Sequence, residues 1–167
     1  GLGDVYKRQI SHNKIYSDIV CELEDGKNVA MLTIGDPSVY STYMYIHKRV
    51  MQAGFTAVMI SGVPSFCAAA ARLGISLGEM MDEIHIIPAS YDVRDTVGYG
   101  GTCVYMKSGK KLAELIEVLR TGDAIRKKKM TVYGVTNCGM ESERVYRGLD
   151  ELTEAKGYLT IVIVKYS

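Results

Sequence analysis

The chain has 167 residues, 47% of them hydrophobic and 23% charged, with a formal net charge of +1. This length suits one domain or two small lobes, and the near-neutral charge gives no general attraction to nucleic acid or to an anionic membrane surface. Because no apolar run approaches the roughly 20 residues of a membrane span and no secretory signal is recognisable, we expect a cytoplasmic protein with neither nucleic-acid nor membrane partners.

The first 63 residues predict a leader followed by part of an α/β lobe. Residues 1–9 show no apolar period, and we interpret them as a foreign or disordered leader. Ile10–Leu23 carries apolar residues at helical spacing and is followed by a glycine turn. The partial lobe, residues 10–63, therefore opens with an amphipathic helix.

Two short apolar runs follow in this lobe, with a helical stretch between them. Val29–Ile34 and Ala57–Ile60 are bounded by turn residues, as strands buried on both faces of a parallel sheet are. Ser38–Gln52 has a broad apolar face, with Ser38 as its expected N-cap. The order strand, helix, strand indicates a right-handed parallel crossover.

Each apolar run ends in a glycine turn, Gly35-Asp36-Pro37 after the first and Ser61–Phe66 after the second. Ligands of open α/β sheets bind at the carboxyl ends of the strands, where glycine lets the backbone come close to a ligand. Asp36 would add a carboxylate acceptor for a hydroxyl or ammonium group. The tripeptide is also ordinary turn chemistry, and the spacing of a P-loop or a dinucleotide fingerprint is absent.

Residues 64–167 predict a second lobe, in which short strands with few intervening helices indicate a mixed sheet. The predicted strands are Ile84–Ile87, Thr102–Met106, Met130–Val135, Glu143–Tyr146 and Leu159–Tyr166, and the predicted helices are Phe66–Leu73, Leu77–Met81 and Lys110–Arg120. The expected fold class is α/β with two lobes, a partial parallel-sheet lobe at the N-terminus and a mixed-sheet lobe at the C-terminus.

The cysteines and histidines give no sign of a metal site, and the basic residues include one longer run. Cys21, Cys67, Cys103 and Cys138 form no Cys-x-x-Cys pair, and we expect reduced, buried thiols. No metal-ligand spacing links them to the three histidines or to the carboxylates. The basic run Arg126–Lys129 is expected to be a solvated turn, or else an attractor for a polyanionic small molecule.

The stretch Met31–Tyr43 is similar to the signature of the tetrapyrrole (corrin/porphyrin) methylases, and within them it is most similar to the C20-methyltransferases of precorrin-2 and cobalt-factor-2. Four further pieces agree with the family, and the resemblance runs from about Lys14 to the C-terminus. These pieces are Gly62–Phe66 with the alanines that follow, Ile86–Ala89, Val104–Lys107 and Tyr158–Val164.

The resemblance implies two α/β lobes with S-adenosylmethionine between them, a homodimer, and methyl transfer to a carbon of a reduced tetrapyrrole in cobalamin biosynthesis. No catalytic residue and no metal ligand is implied. The residues implied at the cofactor are Ile34, Gly35, Asp36, Val39, Pro64, Ser65, Met106, Cys138 and Gly139. Tyr40, Thr42 and Lys107 would lie on the side of the substrate. The carboxylates of the substrate would be attracted by basic residues, namely Lys107, Lys110, Lys111 and the 126–129 run.

The sequence departs from the family at two places. Pro64, which has no N–H to offer a ligand, follows Gly62 where the family usually has small polar residues. The family's opening strand and glycine-rich loop have no counterpart, so the resemblance implies an N-terminally truncated chain that is inactive by itself. Three alternatives stay open: another methylase of this superfamily with a different acceptor, a catalytically silent fragment, or a phosphate-binding α/β module.

Overall fold

The computed structural model of the chain describes residues 2–89, 92–125, 129–157 and 159–166. The chain divides into two compact units, Gly1–Pro64 (unit 1) and Ser65–Ser167 (unit 2). The division falls one residue after the boundary that the sequence suggests. Among the described residues, no helix combines the length and the apolarity needed to cross a membrane.

Unit 1 contains two helices, α1 (Leu2–Glu24) and α2 (Tyr43–Gln52), which contact each other. Between them, the Arg49 guanidinium lies 3.8 Å from the centroid of the Tyr16 ring and donates a 2.8 Å hydrogen bond to Asn13. Ile46 and Val50 form the buried side of α2. The unit is therefore held by one helix pair rather than by a sheet.

Both helices of unit 1 differ from the sequence prediction at their N-termini. The prediction of a disordered leader is wrong, because α1 begins at Leu2 and residues 2–9 extend the predicted helix by two turns at its N-terminus. The helix expected from Ser38 begins only at Tyr43. Ser38 does not cap it, because both its backbone N–H and its hydroxyl donate to Asp36 and draw residues 36–39 into a turn.

The two apolar runs of unit 1, Val29–Ile34 and Ala57–Ile60, are not strands. Neither run shares a backbone–backbone hydrogen bond with any other described residue. Their side chains are exposed in large part, 92% for Leu32 and 85% for Ile60. The prediction of strands was wrong because an apolar run becomes a strand only when a neighbour accepts and donates its ladder hydrogen bonds.

Unit 2 is built on a five-stranded mixed sheet with the order β1-β2-β5-β3-β4. β1 and β2 are parallel, and the other three pairings are antiparallel. The predicted mixed sheet is confirmed, and all five predicted strands are present. The strands are β1 (Ile84–Pro88), β2 (Thr102–Met106), β3 (Met130–Thr136), β4 (Arg144–Arg147) and β5 (Thr160–Tyr166), and the helices are α3 (Ser65–Leu73), α4 (Leu112–Ile125) and α5 (Leu149–Leu152), with 3-10 turns at Arg94–Gly98 and Gly109–Lys111.

The core of unit 2 lies on both faces of this sheet. On one face Tyr105 and Cys103 of β2 pack with Leu115 and Leu119 of α4. Strand alternation sends Val104 and Met106 to the opposite face, and α3 contacts β3 and β5 with a buried side that includes Phe66. Both faces are covered, as the continuous burial of β2 requires.

Two local predictions in unit 2 were wrong. Leu77–Met81 is a turn and not a helix, since Ser76 donates its hydroxyl to the Gly78 carbonyl at 2.8 Å. The helix predicted to end at Arg120 continues through Gly122 to Ile125. A Cβ at Gly122 would lie 2.3 Å from a methyl of Val97, so this glycine is required for close packing against the 3-10 turn.

None of the four cysteines, all of which lie among the described residues, forms a disulfide, and the expectation that they are buried is wrong for three of them. Cys103 is buried in the core, Cys138 is half-buried, and Cys21 and Cys67 are exposed on helices α1 and α3. Within the described residues, no group of three or more His, Cys, Asp and Glu side chains is arranged to hold a metal ion.

Candidate functional site

Asp36 joins the two glycine turns of unit 1. One carboxylate oxygen accepts hydrogen bonds from the Ser38 N–H at 2.8 Å and from the Ser38 hydroxyl. The other oxygen accepts from the Ser61 hydroxyl at 2.8 Å and from the Gly62 N–H at 2.9 Å. These hydrogen bonds hold the pKa of the Asp36 carboxyl well below its usual range. The Ser38 hydroxyl contributes most, followed by the Ser38 N–H and then by the donors of the second turn.

These four hydrogen bonds use the acceptor capacity of the Asp36 carboxylate. The residue is 9% exposed, and a hydroxyl or ammonium group of a ligand would have to displace one of its present donors. The arrangement fits a side chain that holds two turns together, and direct binding of a cofactor by Asp36 stays a prediction.

Gly35 and Gly62 make the close approach of the two turns possible. A Cβ on Gly62 would lie 2.3 Å from the Gly35 carbonyl oxygen, and Gly35 itself adopts a φ of +79°. The sequence reasoning assigned both glycines to the approach of a ligand. In the structure, the contact that requires a glycine at position 62 is with the neighbouring turn.

The other candidates in unit 1 lie around these turns. Ile34, at the end of the first apolar run, is 90% exposed, which is unusual for an isoleucine beside a buried carboxylate. Val39 and Pro64 are half-buried and Thr42 is exposed. Tyr40 has a φ of +51°, a conformation that non-glycine residues adopt uncommonly.

In unit 2, the sheet brings the ends of β2 and β3 to one edge. Ser108, just after β2, donates its hydroxyl to the Thr160 carbonyl at 3.1 Å. Asn137, just after β3, donates its N–H to the Leu159 carbonyl at 3.0 Å. Because both residues bond to the start of β5, the segments 106–108 and 136–139 lie at the same edge of the sheet.

Met106 is the last residue of β2, and its side chain is buried on the α3 face of the sheet. Its carbonyl accepts a 2.8 Å hydrogen bond from the Ala89 N–H, which fixes the end of the strand beside β1. Lys107 follows with an exposed side chain and a φ of +56°. Ser65, the remaining candidate, is half-buried and is the first residue of α3.

The turn between β3 and β4, residues 137–143, contains Cys138 and Gly139. Asn137 and Gly139 both have positive φ values, +50° and +81°. Glu143 accepts a hydrogen bond from the Gly139 N–H at 2.7 Å and forms an ion pair with Arg72 of α3. Burial, and then the Glu143 carboxylate, raise the pKa of the Cys138 thiol.

Gly139 and the Cys138 carbonyl form the outer side of the turn at residues 137–143. No heavy atom lies within 4 Å of the position that a Cβ of Gly139 would occupy, so the outer face of the turn is open. In a trans peptide the N–H and the C=O point in opposite directions. Since the Gly139 N–H points to Glu143, the Cys138 carbonyl faces away from it as an available acceptor.

Sequence reasoning missed the residues that hold these turns in place. Ser38 and Ser61 stand beside the predicted glycines, so their capacity to bond to Asp36 was a readable signal. Arg72 and Glu143 carry no such signal, because they are 71 positions apart and meet only through the packing of α3 on the sheet. Arg126–Lys128 of the predicted basic run lie outside the described residues, while Lys111 pairs with Glu114 at 2.6 Å.

The sequence profile of the tetrapyrrole (corrin/porphyrin) methylases matches residues 3–153, a range that begins inside the segment expected to be a leader. The probable cobalt-precorrin-2 C(20)-methyltransferase of Methanocaldococcus jannaschii is 34% identical over 145 residues, which cover 85% of this chain and 60% of that protein. The cobalt-precorrin-2 C(20)-methyltransferase of Salmonella typhimurium is 21% identical over 96% of this chain and 68% of its own length. The chain thus spans about 60% of the length of the archaeal relative.

Solved structures show the same fold at low sequence identity. The cobalt precorrin-4 methyltransferase CbiF superimposes with a TM-score of 0.77 and 16% identity, over 92% of this chain and 70% of that one. The uroporphyrin-III C-methyl transferase of Thermus thermophilus, solved with S-adenosyl homocysteine, gives a TM-score of 0.71 and 17% identity over 92% of this chain and 72% of that one.

Proposed function

Because the chain belongs to the tetrapyrrole (corrin/porphyrin) methylase family, we propose that it is an S-adenosylmethionine-dependent C-methyltransferase of cobalamin biosynthesis, acting at C20 of cobalt-precorrin-2 or precorrin-2. The observation that carries this proposal is the similarity to the archaeal C(20)-methyltransferase across most of the chain. The T. thermophilus relative of known structure was solved with the demethylated form of this cofactor, which supports the choice of cofactor.

When bound, S-adenosylmethionine supplies a methyl group that is already activated on a sulfonium. The protein's contribution is then to hold donor and acceptor carbon in line, at about 3–3.5 Å. We assign this positioning to the turns that carry the candidate residues. The residues concerned are Ile34, Gly35, Val39, Pro64 and Ser65 from the first two turns and Met106, Cys138 and Gly139 from the edge of the sheet.

The exposed Ile34 side chain supports this assignment, since an apolar group beside the turns would exclude water from the reacting atoms. Asp36 has the role of a positioning residue, because its carboxylate fixes the turns on which Gly35 and Ser61 lie. Tyr40, Thr42 and Lys107 are proposed to face the tetrapyrrole. The exposed Lys107 would attract the carboxylates of this polyanionic substrate, which belong to the substrate in both its cobalt and metal-free forms.

The direct test measures cofactor binding and methyl transfer separately. Calorimetric titration with S-adenosylmethionine, S-adenosylhomocysteine and ATP should show binding of the first two and none of ATP. The methyl-labelled cofactor is then incubated with precorrin-2 or cobalt-precorrin-2, and the position of the label is read by mass spectrometry and NMR. Preferential binding of ATP would contradict the proposal, and so would a label at a carbon other than C20.

We expect little turnover from the 167-residue chain itself and substantial turnover from a version extended to the length of the archaeal relative. The reason lies in unit 1, where Val29–Ile34 and Ala57–Ile60 have no hydrogen-bonded neighbour among the described residues. Turns carried on unpaired runs would place donor and acceptor loosely, and catalysis depends on that placement. Equal turnover by the two versions would show that these runs need no further partner.

A second candidate function is methylation of a different tetrapyrrole carbon. It is favoured by the precorrin-4 C(11)-methyltransferase of Rhodococcus erythropolis, which is 30% identical over 56% of this chain and 42% of its own length. Offering precorrin-4 as an acceptor in the same assay separates the two functions. Transfer of label to precorrin-4 and not to precorrin-2 would favour this second candidate.

A further inference from the structure

The Glu143 side chain stabilises the turn at residues 137–143, in which it lies. Its side chain is only 16% exposed, and its two oxygens have different partners, the Gly139 N–H and the Arg72 guanidinium. Within the turn, Asn137 donates its amide to the Ser142 hydroxyl at 2.9 Å, and the N–H of Met140 donates to the Asn137 carbonyl at 3.0 Å. The carboxylate is therefore the group that ties this turn to helix α3.

The link to α3 matters because the turn contains two residues in the left-handed region. Gly139 adopts this conformation readily, whereas Asn137 does so at some cost. A hydrogen bond from the Gly139 N–H to Glu143 selects one orientation of the 138–139 peptide, and Arg72 fixes the carboxylate that accepts it. The Cys138 carbonyl is turned outward as a result.

We propose that Arg72 and Glu143 form a positioning pair, which orients the 138–139 peptide so that the Cys138 carbonyl and the open face of Gly139 receive the adenosine part of the cofactor. This inference rests on the proposed function, in which the 138–139 peptide contacts that cofactor. Neither residue touches the nucleoside. Arg72 and Glu143 act through the backbone of the turn, and the Gly139 N–H, and then Arg72, lower the pKa of the Glu143 carboxyl.

The test compares two variants of the pair with a matched pair in the same unit. Arg72→Met and Glu143→Gln remove one member each. Arg120→Met is the control, because Arg120 of α4 bonds to Asp150 of α5 at 2.7 Å on the surface of the same unit. The full 167-residue chain is titrated with S-adenosylhomocysteine and with 5′-methylthioadenosine, and hydrogen exchange is followed in the peptide that covers residues 137–143.

Arg72→Met and Glu143→Gln should each weaken binding about tenfold and speed exchange of the Gly139 amide about tenfold, the scale of one hydrogen bond to a charged group. The loss should be equal for both ligands, because only the adenosine part is affected. Arg72→Lys, which retains the charge, should recover part of the affinity. Arg120→Met should bind and exchange as the wild type does.

Three outcomes would overturn the inference. Variants that bind like Arg120→Met would remove the pair from cofactor recognition and leave the proposed function intact. Unchanged exchange at Gly139 would show that the pair does not hold the turn. A wild-type chain that binds neither ligand at millimolar concentration would overturn the cofactor assignment itself, and the positioning role would fail with it.

Discussion

Units 1 and 2 contain apolar runs of similar length and composition, yet within the described residues only those of unit 2 form strands. Val29–Ile34 and Thr160–Tyr166 are both rich in aliphatic residues. Thr160–Tyr166 is β5, which lies between β2 and β3 and is paired on both sides. Val29–Ile34 has no backbone hydrogen-bond partner in the described part of the chain, and it exposes most of its side chains. The comparison shows that strand formation here is decided by the neighbour and not by the run.

The largest expected difference between the two units is in hydrogen exchange. Amides in the middle of β2, β3 and β5 should exchange only through opening of unit 2, at least about a thousandfold more slowly than unprotected amides. Amides of Val29–Ile34 and Ala57–Ile60 should show almost no protection. Exchange measured by NMR on the whole chain checks this, and strong protection of both runs would mean that they find a partner in solution.

Core substitutions should affect the two units unequally. Leu115 of α4 is fully buried against the sheet. Its replacement by alanine should lower the free energy of unfolding by about 2–5 kcal/mol. Ile60→Ala, at an 85% exposed position, should change stability by less than about 0.5 kcal/mol. Denaturant titration of both variants is the measurement, and a large loss for Ile60→Ala would place that side chain in a buried contact.

The hydrogen bonds that Asp36 accepts in the turns of unit 1 can be removed by a substitution outside the helices. Asp36→Asn should raise the exchange rate of the Ser38 and Gly62 amides about tenfold, because both donate to the carboxylate. Asp92→Asn is the matched control, since Asp92 accepts from the Arg94 N–H two residues later but joins no second turn. It should leave the Ser38 and Gly62 amides unchanged.

The pH dependence of this clamp has a definite sign. The folded-state pKa of Asp36 is depressed, so its stabilising contribution is present above the ordinary pKa of about 3.9 and is lost only as pH falls through the lower folded value. Protection of the Gly62 amide should persist at pH 4 in the wild type. Loss of protection already at pH 5 would contradict the clamp.

The smallest effect concerns Cys138. Burial, and then the nearby Glu143 carboxylate, raise the pKa of its thiol, which lowers the fraction of reactive thiolate. Glu143→Gln should therefore speed alkylation of Cys138 by iodoacetamide about two- to threefold at pH 8. Cys67, exposed on α3, serves as the internal reference in the same digest, and an equal change at both cysteines would point to a general loosening of the protein.

The parts of the fold that sequence reasoning predicted well are those fixed by local pattern together with an available partner. The strands Thr102–Met106 and Met130–Thr136 are examples, because their apolar residues meet neighbours within the same unit. The start of α2 was missed because Ser38 had two uses, as a helix cap or as a donor to Asp36. Sequence spacing cannot decide between these uses, but the nearby Ser61 and Gly62 do.

The candidate site was predictable as a set of turns and less so as a set of contacts. Gly35, Met106 and Gly139, which the resemblance implies at the cofactor, all lie in turns or at strand ends. The linking role of Asp36 was only partly readable: the neighbouring Ser38 is a local donor, whereas the other two of its four hydrogen bonds come from a second turn 25 and 26 positions away. Whether these residues bind the cofactor stays a prediction.

The position of β5 has a consequence for the synthesis of the protein. β5 is the last of the five strands in chain order, yet it lies at the centre of the sheet, between β2 and β3. On a ribosome, β1 with β2, and β3 with β4, can form only as separate pairs until residues 160–166 have emerged. Two-stranded pairs are marginally stable in water, so their apolar faces need protection during this interval. The sheet can therefore close only in a late step, when β5 joins the two pairs.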